Sequence, residues 1–196
     1  MLRKKTPGRP YVYPALYRFL YCCGARCGEA RHLRCENVHL SDGYLDILQS
    51  KGHRDRRLFL SDELISYLIE YDCAIRNCFP KREYFFPGPS GNIISASSIP
   101  FNFRKIWLAA GLKRDGEIKP RPYDFRHHFA CANIARWAKE KKDVISMLPY
   151  LMRYMGHSSL EKTYYYVHLI PDYFADYAAA TENLESLLPE VEPYEI

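Results

Sequence analysis

No stretch of this 196-residue chain approaches the apolar length needed to cross a bilayer, and its basic, proline-containing start from Met1 to Pro10 has no apolar segment behind it. Those absences argue against a spanning helix or a secretory leader, and a soluble, cytoplasmic protein is expected. Cysteine never occurs as C-x-x-C: the seven stand at 22, 23, 27, 35, 73, 78 and 131. An odd number with that spacing fits neither a disulfide framework nor a zinc grip. A zinc site drawn from Cys22, Cys23, Cys27 or Cys35 with His32 or His39 would need adjacent and four-apart thiols on one helix to converge on one ion, which they do poorly. Free, mostly buried thiols in a reducing compartment are the expectation. Internal repeats and low-complexity segments are also missing; the length suits one sizeable core, a split into two is possible but not required, and one domain is expected.

Positive charge is missing from the end of the chain. All 28 Lys and Arg lie within residues 1–170, opposed there by 16 acids, a net +12, while residues 171–196 carry seven acids and no base. A basic body suits a polyanion, because each cation that neutralises a phosphate releases condensed counterions. The acidic tail, Asp172 to Ile196, has Tyr173, Phe174, Tyr177, Leu184, Leu187 and Leu188 at near-helical spacing, so docking on protein is expected of it rather than contact with DNA.

The periodicity describes a mainly α domain with one small antiparallel sheet. Leu16, Phe19, Leu20 and Cys23 recur at helical spacing up to Gly24, and a short helix should carry Glu29 to Leu33. Asn37 to Leu40, Tyr44 to Leu48 and Arg57 to Leu60 read as three strands, turning at Ser41-Asp42-Gly43 and Lys51-Gly52-His53. Ser61 with Asp62 and Glu63 caps a helix to about Asn77, and a Pro/Gly-rich loop follows at residues 86–92. Ile99, Phe103, Ile106, Trp107 and Ala110 mark a helix stopped by Gly111. After a polar loop with Asp115-Gly116, helical texture returns from Tyr123 to Lys141. The stripe from Val144 to Met155 is one that Pro149 should kink or divide. Ser158 and Glu161 have capping-box spacing ahead of a short helix from Thr163 to His168.

Several polar residues acquire meaning from their order. Gly24-Ala-Arg26-Cys-Gly-Glu29 precedes the sheet, Lys51 sits at a hairpin turn, and Asp124-Phe-Arg126-His127-His-Phe129 opens a helix. Met155-Gly-His157-Ser-Ser-Leu160 follows, and Tyr166 stands nine residues after His157. Together these five landmarks, from about Ala15 to His168, resemble the tyrosine recombinase (phage integrase) family, and the resemblance implies its DNA breaking-rejoining catalytic fold over residues 1–171. One departure is visible, since Tyr123 occupies a position where the family usually has histidine. A phenol can still hydrogen-bond a phosphate oxygen but carries protons poorly near neutral pH.

The resemblance assigns Arg26, Lys51, Arg126, His157 and Tyr166 to catalysis, with Glu29, Tyr123 and His127 in support. Attack on a phosphodiester builds charge on its non-bridging oxygens, and Arg26 and Arg126 offer permanently charged planar forks that match two of them. His157 adds a donor. Tyr166, expected at a largely exposed position, is a weak nucleophile until nearby cations favour its phenolate. Lys51 is the candidate acid for the departing 5′ oxygen. Glu29 and His127 read as groups that orient Arg26, Arg126 or the phosphate, and a buried hydrogen-bonding role for His127 stands beside that. Because consecutive helical residues turn by about 100°, Tyr164, Tyr165 and Tyr166 face different ways, and the spacing from His157 selects Tyr166 over the other two, which read as packing or DNA-backbone residues.

No Asp/Glu cluster suited to magnesium accompanies these boxes, so neither metal nor other cofactor is expected. What the resemblance implies is a site-specific recombinase or integrase of bacterial or phage origin, joining DNA through a 3′-phosphotyrosyl link. A type IB topoisomerase-like enzyme and an inactive DNA-binding remnant of a mobile element are the alternatives. Double-stranded DNA is the expected partner, with a monomer in free solution and a homo-oligomer, a tetrameric synapse, on DNA. The family's N-terminal core-binding domain has no counterpart in these residues, so weak and salt-sensitive DNA binding is expected.

Overall fold

The computed structural model describes residues 8–48, 55–112 and 120–167. The first helix, α1 (Arg9–Cys23), buries Val12, Tyr13, Leu16, Phe19, Leu20 and Cys23 and ends at Gly24 in the left-handed region. Left-handed φ of 57° favours glycine here, and so does space: a Cβ on Gly24 would come within 2.6 Å of the Phe129 ring. After α2 (Cys27–His32) come β1 (Val38–His39), β2 (Tyr44–Ile47) and β3 (Arg56–Phe59), paired antiparallel in that order. The first strand is shorter than the alternation suggests because turns of 3-10 helix take up Cys35–Asn37 and Leu40–Asp42, while β2 ends one residue and β3 begins one residue earlier than expected. The expected hairpin turn at Lys51-Gly52-His53 lies outside the described residues, as does the loop with Asp115-Gly116.

Ser61 caps α3 (Asp62–Cys78) by accepting from the Leu64 amide at 3.4 Å, with Asp62 and Glu63 in the first turn. Then follow α4 (Ser98–Ala109), α5 (Asp124–Lys139), α6 (Val144–Met155) and α7 (Glu161–Val167). Pro149 does not divide α6: burial of Val144, Leu148, Leu151 and Met155 along one face outweighs the missing amide hydrogen bond. The last helix starts two residues earlier than expected, its first turn closing on the Leu160 carbonyl, which accepts from the amides of Thr163 and Tyr164 at 2.8 Å each.

The buried apolar side chains form two clusters, a split that a chain of this length allows. The first joins α1, α2, the sheet, α3 and α4. The second joins α5, α6 and α7. Tyr154 packs against both, and α5 lies on α1 through Phe129 at Gly24. No described helix is long and apolar enough to cross a membrane.

Candidate functional site

The end of α6 organises the seam between the two clusters. The last carbonyls of a helix have no partners within it and carry the negative end of its dipole. Here three successive ones each accept from a different arginine. Tyr154 O takes Arg56 Nε at 2.7 Å, Met155 O takes Arg126 Nη2 at 2.6 Å, and Gly156 O takes Arg26 Nη2 at 2.8 Å. These guanidiniums come from β3, α5 and the loop before α2, so a single helix end gathers cations from three remote segments. Gly156, at φ 67°, turns the chain out of α6, and the His157 amide closes the turn on Met152 O at 3.0 Å. His157 follows that turn directly.

Arg126 is 1% exposed, and its Nη1 also donates to Gly24 O at 2.7 Å, bolting the start of α5 to the end of α1. Burial, with help from Arg26, lowers its guanidinium to about 10, so it is still charged at neutral pH. Arg26 Nη1 donates to Glu29 Oε1 at 2.7 Å, while Glu29 Oε2 accepts from the Arg26 amide at 2.8 Å. Burial by itself would raise the Glu29 carboxyl, but the hydrogen bonds and charge of Arg56, joined by Arg26, bring it down to about 2. His157 Nδ1 meets Thr163 Oγ1 at 2.8 Å. Burial, then the charges of Arg126, Arg26, Lys162 and Arg56, lower this imidazole to about 4, which leaves it neutral at physiological pH.

Arg26, Arg126, His157 and Tyr166 line one cleft of about 760 Å³, together with Tyr123, His127, Gly156, Lys162 and Tyr165. Four of the five residues assigned to catalysis therefore meet; Lys51 lies outside the described residues. Contrary to expectation, Tyr166 is buried, at 3% exposed, because α7 packs on α5 and α6 and its ring lies against those of His127 and His157 at 5.5 and 5.9 Å between centroids. Burial raises its phenol pKa, and the opposing charge of Arg126 is too small to reverse this. The arginines thus do not by themselves ionise the phenol. Tyr164 packs partly against the second cluster and Tyr165 is 56% exposed, so the three phenols do diverge.

Three residues escaped the sequence reading. Arg56 is gripped in the seam with Glu29, Thr163 holds His157, and Lys162 reaches the cleft while donating to Ser158 Oγ. Strand alternation could have found Arg56, since it shares a face with buried Leu58. Nothing in the sequence distinguishes Thr163. Glu29 holds Arg26, and His127 Nδ1 is buried without a hydrogen-bond partner. Chemically, the cleft can bind a phosphate-like group between fixed cations while keeping a protonated phenol beside it. No group of three or more His, Cys, Asp or Glu among the described residues is placed to hold a metal.

The chain is similar to known proteins over most of its length. A putative integrase/recombinase, y4rE, of Sinorhizobium fredii is 32% identical over 165 residues, covering 82% of this chain and 52% of the relative. Tyrosine recombinase XerC of Lactobacillus delbrueckii subsp. bulgaricus is 27% identical over 86% of this chain and 55% of its own length. The chain thus spans about half the length of the curated relatives it matches. The crystal structure of the XerH site-specific recombinase bound to palindromic difH substrate, a post-cleavage complex, superimposes with a TM-score of 0.67 at 23% identity, over 92% of this chain and 48% of that one, and so shares its fold. Since the phage integrase family profile matches residues 8–172, the greater part of the sequence and every described element of the cleft, the chain belongs to the phage integrase family.

Proposed function

We propose that this chain is the catalytic part of a site-specific DNA recombinase or integrase that cuts and rejoins DNA through a 3′-phosphotyrosyl bond at Tyr166. One observation carries the reading: Arg26, Arg126, His157 and Tyr166, from four separate segments, line a single cleft. The two guanidiniums, preset by carbonyls and by Glu29, hold the non-bridging oxygens of the scissile phosphate as charge develops there. Tyr166 attacks phosphorus, and the 5′ oxygen leaves with a proton from Lys51. The phosphotyrosine conserves the energy of the broken bond, so rejoining reverses the step without ATP or metal. Phosphate binding, with its bidentate charge-assisted bonds, brings negative charge between Arg26 and Arg126 and thereby offsets their mutual repulsion.

Double-stranded DNA is the partner in this reading, and the basic body with its cationic cleft supports it. The chain acts as a monomer in free solution and as an oligomer, a tetramer of active sites, on DNA, with the acidic segment 172–196 docking on a neighbouring protomer. The test is covalent trapping on nicked duplexes randomised around the nick, with the DNA-linked residue mapped by peptide mass. A Tyr166 adduct with rejoining between two sites supports the reading. Relaxation of supercoils by a monomer without site preference would favour a topoisomerase instead.

A further inference from the structure

Three buried side-chain nitrogens among the described residues have no hydrogen-bond partner: Arg82 Nε, Trp107 Nε1 and His127 Nδ1. Of these residues, His127 alone lines the cleft that holds Tyr166. Leaving a buried polar atom unpaired costs about 1–3 kcal/mol, and a functional use is one reason a fold retains it. The His127 imidazole sits between two phenols, 5.0 Å from the Tyr123 ring and 5.5 Å from the Tyr166 ring, centroid to centroid.

We infer that His127, on the recombinase reading above, is the base that takes the Tyr166 hydroxyl proton, directly or through one water, as the phenol attacks the scissile phosphate. The O–H bond of Tyr166 breaks, its electron pair forms the O–P bond, and the proton moves to an imidazole nitrogen of His127. The P–O5′ bond breaks with that oxygen protonated separately by Lys51. In rejoining, the 5′ hydroxyl attacks phosphorus and His127 returns its proton to Tyr166. Catalytic hydrogen bonds are often long before substrate arrives, so the ring contact without a hydrogen bond at Nδ1 in the free protein is compatible with this role.

The other groups in the cleft suit the task less. Tyr123, where the family usually has histidine, is a phenol and no base near neutral pH. His157 has Nδ1 committed to Thr163 and holds a proton only near pH 4. Glu29 does not line the cleft and is saturated by Arg26 and Arg56, and Glu161, which does, is a carboxylate, a weaker base than imidazole. Facing His127 are Asp124 and Arg126 from its own helix, Arg121 and Tyr123 from the residues just before it and Tyr166 from α7, with His157, Glu161 and Lys162 elsewhere in the cleft. Burial is the largest influence and lowers the imidazole below its ordinary value; Asp124 opposes this, and Arg121 and Arg126 reinforce it. His127 is therefore neutral and able to accept a proton at physiological pH, and Asp124 favours the imidazolium once formed.

The experiment is single-turnover covalent cleavage of the nicked duplexes across about pH 5 to 9, with wild type, His127→Gln and His127→Gly. Expected for wild type is a rate that rises through acid pH and levels off below neutrality, as His127 loses its proton. His127→Gln should cleave about 10²- to 10⁴-fold more slowly, with DNA binding kept, and its rate should climb steadily with pH towards the raised pKa of Tyr166. Added imidazole should restore cleavage to His127→Gly in proportion to its neutral form. A loss of tenfold or less in His127→Gln, with the wild-type pH profile, overturns the assignment, as does a folded His127→Gly that imidazole leaves unchanged. If wild type forms no Tyr166 adduct, the recombinase reading itself fails and the role of His127 goes with it; an active wild type isolates the question to His127.

Discussion

Arg56 grips Glu29 with both terminal nitrogens, at 3.0 and 2.8 Å, and the same carboxylate holds Arg26 Nη1 at 2.7 Å. Strand β3 is thereby tied to the arginine proposed to clamp phosphate. Both side chains of the Arg56–Glu29 pair are 6% exposed, so this is a buried bridge in which each remaining bond matters.

The pair makes stability depend on acid. The folded-state pKa of Glu29, about 2, lies below its ordinary value of 4.5, so its contribution is complete above about pH 4.5 and is lost as pH falls through 2. The gap corresponds to about 3 kcal/mol. Glu29→Gln should unfold in urea with a midpoint that changes less than wild type between about pH 5 and 2. Parallel pH dependence in the two proteins would mean that the carboxylate is not held as described.

Arg26→Ala and Arg126→Ala should each slow covalent cleavage by about 10²- to 10³-fold, the loss typical of one preorganised oxyanion donor. They should differ in stability. Arg126 satisfies two carbonyls while 1% exposed, whereas the Arg26 side chain is 28% exposed, so Arg126→Ala should lower the melting temperature more. Tenfold loss or less in cleavage would show that the clamp lies elsewhere.

Tyr166→Phe should abolish covalent trapping and leave the fold intact, because the ring that packs on His127 and His157 is retained. Circular dichroism and filter binding check the fold and the DNA affinity. Trapping that persists would move the nucleophile to Tyr164 or Tyr165.

Gly24→Ala should destabilise by about 1–3 kcal/mol, since it forces a left-handed φ on alanine. It also drives a methyl group into Phe129. Denaturant unfolding measures this, and Phe129→Ala in the same chain should recover part of the loss. An unchanged midpoint would mean that α1 and α5 do not meet as closely as described.

Deleting residues 172–196 should spare cleavage of a half-site and impair strand exchange between two full sites, since an apolar, acidic segment is a better neighbour for protein than for DNA. Equal loss of both would place the segment in its own protomer's fold.

The sequence by itself determined most of the local structure. Leu16, Phe19 and Leu20 at helical spacing, Gly24 at a helix end and Ser61 with its acidic first turn are short-range signals, and each element formed where its signal lay. The order of the boxes singled out Arg26, Arg126, His157 and Tyr166, because a site built from several segments leaves each motif intact in the chain. Tertiary structure decided what depends on distant partners. Alternation puts Arg56 on the face of buried Leu58, but what it binds emerges only when Glu29 and the Tyr154 carbonyl are placed beside it. Pro149, itself exposed, stays helical because the other face of its helix, with Leu148 and Leu151, is buried. Tyr166 is buried and protonated rather than exposed and ionised, since desolvation by α5 and α6 outweighs one nearby guanidinium. Burial and electrostatics sum over everything packed around a group, and most of those neighbours lie far away along the chain.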